Sequence, residues 1–147
     1  MHDPVLDSLS SAEIIGLTII GEARGEPIEG QVAVGCVIRN RLSPTNNSYL
    51  DVCLKPFQFS CWNENDPNYS FLIDLANQLF NGQFLSDAYI IQCMYVAKGI
   101  EDLSIMDNTA GAVNYMTVKL FNSDKKPKWA DNSKNERVYG NQIFFNA

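Results

Sequence analysis

Glu22 is the residue of this chain whose position best suits acid–base chemistry. The apolar residues from Ile14 to Ile20 predict a buried helix, and Glu22 falls at its end, on the face of Ile15 and Ile19. The apolar surface and the negative end of the helix dipole both disfavour a charged carboxylate there. They favour the protonated form that a general acid needs. The same pattern also fits a glutamate that simply reaches solvent at a fraying helix end.

Glu26 is a second carboxylate close to Glu22, and two carboxylates can form the acid–base pair of a glycosidase. A glycine and a proline interrupt the predicted helix around Glu26, so the spacing does not fix the distance between the two carboxyl groups. Glu26 is equally compatible with an ion pair to Arg24 or Arg39, or with the first turn of a second helix.

Histidine-dependent chemistry is nearly excluded, because the single histidine, His2, lies at the N-terminus. A zinc amidase or peptidase needs internal histidine ligands, and serine or cysteine nucleophiles of the common type need a histidine base. The four cysteines form no C-x-x-C pair, and Cys36 and Cys93 fall in apolar helical patterns typical of buried free thiols. We therefore predict no metal and no cofactor, with carboxylates as the main acid–base groups.

Side chains that could bind a sugar polymer occur in clusters. The aromatic members are Phe57, Phe59, Trp62, Tyr115, Trp129 and Tyr139. The polar members beside them are Gln58, Ser60, Asn114 and Gln142. Aromatic faces stack on sugar rings and amides bind hydroxyl groups, although each aromatic residue taken singly is more often part of a core.

The charge distribution argues against a broad nucleic-acid surface, because the net charge is −6. Residues 119–147 nevertheless hold six Lys or Arg against three Asp or Glu. This basic segment could meet an anionic polymer such as a bacterial wall, or it could be a solvated loop. The length and the 46% hydrophobic content predict one globular domain over residues 1–147. No apolar run is long enough to span a bilayer, and the N-terminus has no signal-peptide pattern.

The predicted fold class is α+β, with a mostly helical core and a small β element near the C-terminus. A capping box formed by Ser10 and Glu13 begins the first helix, and Gly25 is expected to end it in a left-handed conformation. Further helices are predicted over about 28–42, 49–53, 69–80 and 87–99. Residues 112–118 and 142–145 are β-prone, and the polar stretch 122–136 predicts a loop between them.

Several segments resemble the SleB/CwlJ cell-wall hydrolase family. The sequence G-E-A-R-G-E-P at 21–27 is followed by E-G-Q-V-A-V at 29–34 and V-I-R-N-R at 37–41, a near-continuous match. Later segments match in the same order, namely K-P-F-Q-F-S at 55–60, G-A-V-N-Y at 111–115, K-W at 128–129 and G-N-Q-I-F at 140–144. The resemblance therefore covers about residues 12–145.

This resemblance implies a lysozyme-like fold, similar to goose-type lysozymes and lytic transglycosylases, with Glu22 as the catalytic glutamate. It implies cleavage of peptidoglycan glycan strands between N-acetylmuramic acid and N-acetylglucosamine. Glu22 would protonate the linking oxygen and then activate the muramyl 6-hydroxyl, giving a 1,6-anhydro product, whereas a positioned water would give inverting hydrolysis. Tyr115 is expected to position substrate or to support the developing positive charge, unless it is simply a core residue. The expected substrate-binding residues are Glu26, Gln58, Phe59, Ser60, Asn114, Trp129 and Gln142.

The chain departs from the family pattern at Asn114, at Thr117-Val118 and at Gln142, where the family has Tyr, Asn-Pro and His. Because glutamine cannot titrate, any role that needs protonation at position 142 is lost, and the preferred substrate could differ from spore cortex. The short chain is expected to act as a monomer. The absence of a signal peptide favours a bacteriophage lysis enzyme reaching the wall from the host cytoplasm, or a virion-associated enzyme. Two alternatives remain, a non-catalytic glycan-binding or virion module and an enzyme acting on another acetylated polysaccharide such as chitin.

Overall fold

The computed structural model describes residues 2–147. Five helices and a three-stranded sheet make up most of it, together with a one-turn helix and three short 3-10 helices. The α-helices are α1 (Ser11–Ala23), α2 (Ile28–Asn40), α3 (Tyr49–Leu54), α4 (Tyr69–Phe80), α5 (Ala88–Glu101) and the short α6 (Val118–Phe121). The strands are β1 (Asn114–Thr117), β2 (Lys134–Tyr139) and β3 (Gln142–Asn146). The 3-10 helices are Pro4–Ser8, Ser60–Trp62 and Lys128–Asn132.

Helix α1 is the central element of the core. Its predicted capping box is confirmed, since the Ser10 hydroxyl accepts from the Glu13 amide (3.1 Å) and the Glu13 carboxylate accepts from the Ser10 amide (2.8 Å). All seven residues from Ile14 to Ile20 are buried, because α2, α3, α4 and α5 pack around this helix. A helix apolar on all sides is the expected solution for such a central position.

The turn between α1 and α2 differs from the prediction at Gly25. Arg24, the C-cap, is right-handed helical (φ −62°), and Gly25 does not adopt a positive φ, so the predicted left-handed cap is wrong. The chain instead reverses through a bond from the Glu26 amide to the Ala23 carbonyl (2.9 Å), and α2 begins directly after Pro27. The buried amide of Gln31 fixes the turn by donating to the Glu26 carbonyl (3.2 Å).

The sheet has the order β1-β3-β2 and is antiparallel throughout. Strands β1 and β3 lie where the β-prone segments predicted them. Strand β2 lies partly inside the stretch 122–136, so the predicted loop there is wrong at its end. Strand β2 is an edge strand that is exposed over nearly its whole length, so its sequence has no apolar alternation from which a strand could be predicted.

The two faces of the sheet meet two different apolar clusters. Phe144 packs into the main helical core, where it stacks on Tyr115 and contacts Tyr139. Its neighbour Phe145 points to the opposite face and joins a smaller cluster with Ile143. This alternation along β3 is the ordinary period of a strand, and it decides which aromatic side chains can approach α1.

The four cysteines, Cys36, Cys53, Cys61 and Cys93, are buried and unpaired, which confirms the prediction made for Cys36 and Cys93. Within residues 2–147, no helix combines the length and the apolar character that crossing a membrane requires.

Candidate active site

Glu22 lies in the last turn of α1, as predicted, and its side chain is half-buried. The segment Ser60–Trp62 packs directly against this turn, and the Trp62 indole donates to the Thr18 hydroxyl (3.0 Å), one turn before Glu22. Gly21 permits the close approach, because a Cβ there would lie 2.6 Å from the Cβ of Cys61. The packing of this segment therefore fixes what surrounds the Glu22 carboxyl group.

Three donors point at the Glu22 carboxylate. Oε1 accepts a hydrogen bond from the Tyr115 hydroxyl. Oε2 accepts from the backbone amide of Cys61 (3.2 Å) and makes a longer contact with the Ser60 hydroxyl (3.5 Å). A carboxyl group held by both oxygens has a defined orientation, which a proton donor to a bound substrate requires.

Tyr115 is set in an aromatic stack. Its ring lies 5.4 Å from that of Phe144 and 6.5 Å from that of Phe59, measured between centroids. Burial, and then the negative charge of Glu22, raise the pKa of Tyr115 well above its usual 10.0. The phenol therefore stays a neutral hydrogen-bond donor at every pH at which acid–base catalysis by a carboxyl group is practical.

A cavity of about 400 Å³ opens beside Glu22, lined also by Arg24, Glu26 and Asn68. The cavity wall is fixed, since Arg24 donates to the Asn68 side chain (3.1 Å) and stacks over the ring of Phe71 (4.7 Å). Glu22 thus borders a recess large enough for a sugar unit.

Glu26 lines the same cavity, but its carboxylate is already engaged. It accepts from the backbone amide (3.0 Å) and the side-chain amide (3.1 Å) of Asn141, in the turn between β2 and β3. Among the described residues, neither ion pair considered for it forms, because Arg24 and Arg39 donate to other groups. Glu26 therefore joins the α1–α2 turn to the sheet.

Two expected substrate-binding aromatics are not placed for that role. Phe59 is only 1% exposed, so it supports Tyr115 from behind and cannot stack on a sugar. Trp129 is exposed, but it stacks on Phe145, on the opposite face of the sheet from Tyr115. Sequence spacing does not reveal on which side of the sheet an aromatic residue packs.

The remaining predicted residues fall in three places. Ser60 reaches Glu22, as stated above. Gln142 lies on the Phe144 face of β3, is 9% exposed, and has an amide oxygen without a protein partner in the described residues. Gln58 and Asn114 line a separate cavity of about 370 Å³ together with Arg41. Sequence reasoning missed two groups beside these cavities, the Cys61 amide and Arg41. The amide is a backbone donor and has no side-chain signature, and Arg41 stood out only as part of a family segment.

A helical core with a small sheet, and one glutamate held beside a polar cavity at the end of its first helix, define a lysozyme-like enzyme architecture. Comparison with known families agrees, since the model of the Cell Wall Hydrolase family matches residues 25–145. The chain belongs to this family. The match begins three residues after Glu22, so it covers the sheet and the Ser60–Trp62 segment but not the glutamate itself.

Individual relatives give the same result. The spore cortex-lytic enzyme of Bacillus subtilis (strain 168) is 46% identical over 55 residues, which are 36% of this chain and 18% of that protein. The catalytic domain of the Bacillus cereus SleB protein matches with a TM-score of 0.60 and 22% identity, over 99% of this chain and 93% of that one. The catalytic domain of the germination-specific lytic transglycosylase SleB from Bacillus anthracis matches with a TM-score of 0.58 and 23% identity, over 92% and 93%. These structural likenesses confirm the predicted fold, and the family match confirms the resemblance stated from the sequence.

Proposed function

We propose that the chain is a peptidoglycan glycosidase that cleaves between N-acetylmuramic acid and N-acetylglucosamine, with Glu22 as its acid–base residue. One observation carries the proposal: Glu22 lines an open cavity, and its carboxyl group is held by Tyr115 and by the Cys61 amide. Family membership supports a cell-wall substrate. The name of the Bacillus anthracis relative, a lytic transglycosylase, supports this reaction type.

The proposed reaction is intramolecular transglycosylation. A glycan in the cavity brings its linking oxygen within reach of the Glu22 carboxyl group. Glu22 gives its proton to the linking oxygen as the C1–O4 bond breaks. The resulting carboxylate takes the proton of the muramyl 6-hydroxyl, whose oxygen forms the new C1–O6 bond. The products are a 1,6-anhydromuramyl end and a free 4-hydroxyl group, and no water is consumed.

The surroundings of Glu26 support this route over a double displacement. A retaining glycosidase that forms a covalent intermediate needs a second carboxylate free to attack the anomeric carbon. Both oxygens of Glu26, the other carboxylate in the cavity, accept hydrogen bonds from Asn141. An internal nucleophile, the muramyl 6-hydroxyl, removes the need for that second carboxylate.

The first test is Glu22→Gln. The amide keeps the size of the side chain and can still accept from Tyr115, but it cannot transfer a proton. Because general acid–base catalysis contributes about 10²–10⁴-fold, we expect clearing of purified peptidoglycan to fall by about a thousandfold with little change in melting temperature. Glu29→Gln, at an exposed position in the first turn of α2, is the matched control and should keep its activity. Full activity in Glu22→Gln would contradict the proposal.

Mass spectrometry of the digest separates the related chemistries. Anhydromuramyl ends are expected from transglycosylation, whereas reducing muramic ends would show inverting hydrolysis by a positioned water. Binding of glycan strands without any bond cleavage would instead support the glycan-binding module.

A further inference from the structure

We propose that the Arg41 cavity, lined by Arg41, Lys55, Gln58 and Asn114, binds a carboxylate of the peptide stem carried by the glycan strand. This inference rests on the proposed function and adds to it the part of the substrate that the enzyme recognises beside the sugar chain. The cavity is separate from the one that contains Glu22.

The charge of the cavity points to an anion. Its lining includes two cationic side chains, four side-chain amides and one hydroxyl, but no carboxylate. This is unusual for a chain with a net charge of −6. Within residues 2–147, neither Arg41 nor Lys55 forms an ion pair, although Asp51 lies one helical turn before Lys55. The two positive charges are therefore available to a ligand.

The guanidinium of Arg41 is incompletely satisfied. Its Nε donates to the Val113 carbonyl (2.9 Å), and its plane lies over the ring of Phe59 (4.9 Å from the centroid). Its Nη1 is buried without a partner in the described residues. Because buried donors are nearly always paired in folded proteins, an unpaired one on a residue that lines a cavity suggests a missing acceptor. A planar guanidinium fork matches a carboxylate better than any neutral group.

The cavity adjoins the reaction site through contiguous side chains. Phe59, on which Arg41 stacks, contacts Tyr115, which binds Glu22. Burial lowers the pKa of Arg41, and Glu22 is close enough for its negative charge to oppose that shift. A peptide stem leaves the muramyl sugar next to the bond that is cleaved, so its carboxylates can reach a cavity on this side of Glu22.

The test uses soluble glycan strands that carry peptide stems, compared with the same strands after conversion of every stem carboxyl to a primary amide. The wild-type protein should cleave native strands with a kcat/KM about tenfold higher than that for amidated strands. Amidation removes a charge-assisted hydrogen bond, and this difference is the expected size of its loss. Lys55→Met should lower kcat/KM on native strands about threefold and leave the amidated strands unaffected. Arg41→Gln should lower kcat/KM by a larger factor on native strands than on amidated strands, and its melting temperature shows whether the fold survives.

The controls separate this inference from the function on which it rests. Lys98→Met removes an exposed charge in the last turn of α5 and should behave like the wild type. Equal cleavage of native and amidated strands by the wild type and Lys55→Met would overturn the carboxylate site but leave the proposed function standing. Cleavage of neither strand by the wild type would overturn the proposed function.

Binding provides a readout that does not depend on turnover. In the Glu22→Gln background, calorimetry should show native strands binding more tightly than amidated strands, and Lys55→Met should remove the difference. The strands are prepared free of teichoic acid, so that its phosphates cannot provide the anion. A charge effect that appears only when teichoic acid is added back would assign the cavity to that polymer and contradict the proposal.

Discussion

The contact between Glu22 and Tyr115 joins residues 93 positions apart in the chain. Glu22 is carried by a helix and Tyr115 by a strand, so the pair exists only in the folded molecule. The phenol is held by Phe144 and Phe59 and not by polar groups, which leaves its hydroxyl free to serve the carboxyl group. In the proposed reaction, Tyr115 is a positioning residue that keeps Glu22 oriented toward the cavity.

Tyr115→Phe tests this role. The ring and its stacking remain, but one hydrogen bond to the carboxylate is lost, and such bonds contribute about 1.5–3 kcal/mol. We expect kcat on glycan strands to fall about ten- to a hundredfold, with a modest change in melting temperature. Tyr139→Phe makes the same change on another ring that contacts Phe144, where the hydroxyl donates to the Asn108 carbonyl. The Tyr139→Phe control should lower the stability and leave kcat nearly unchanged. An equal loss of kcat in both variants would contradict the positioning role of Tyr115.

The Ser60–Trp62 segment provides the donor that no side-chain pattern revealed. Its position depends on Gly21, where a Cβ would meet Cys61 and would lie 2.8 Å from Leu72. The glycine is thus a packing requirement of this element, and the Cys61 amide reaches Glu22 as a result.

Gly21→Ala should therefore disturb the site through its supporting element. Overpacking costs about 1–3 kcal/mol, so we expect a lower melting temperature, and we expect activity to fall further because the Cys61 amide moves away from Glu22. Gly25→Ala is the matched control for stability, since no atom lies within 4 Å of the added Cβ and the backbone there is not left-handed. If the two variants were equally stable and active, the supporting role of the segment would be refuted.

The elements that the sequence predicted well are those with a strong periodic pattern. The capped, wholly apolar α1 and the apolar stripes of α4 and α5 were correct to within a few residues. Strand β2 was missed because Lys134–Tyr139 is held by pairing with β3 and has no buried face of its own. Gly25 was misread because glycine permits a left-handed cap but does not require one.

At the scale of the molecule, the sheet closes one side of the helical core through Phe144 and thereby brings Tyr115 and the Glu26–Asn141 contact to the end of α1. Sequence reasoning singled out Glu22, together with Ser60 and Tyr115, which both contact Glu22 in the structure, because their local segments are distinctive. It could not place Phe59 or Trp129, because burial and choice of face are decided by how the sheet docks on the helices.

The stability of the whole fold should depend on Tyr115 at alkaline pH. Because its pKa in the folded state lies well above 10.0, the folded protein keeps this proton where the unfolded chain loses it. The contribution is constant below about pH 10 and is lost as the pH rises further, since the unfolded state then binds fewer protons. Denaturation midpoints measured from about pH 8 to pH 11 should therefore fall more steeply for the wild type than for Tyr115→Phe. Parallel pH profiles for the two proteins would contradict the raised pKa of Tyr115 in the folded state.

The four interior thiols have a consequence for the conditions that the molecule can tolerate. A thiol attacks oxidants and disulfides as the thiolate, and burial raises the pKa of Cys93 to about 11 and of Cys53 to about 12, with Cys36 and Cys61 also raised. Each sulfur is also shielded from reagents by packed side chains. Transfer from a reducing to an oxidising medium should therefore leave the covalent structure as it was synthesised, and the fold requires no particular redox potential.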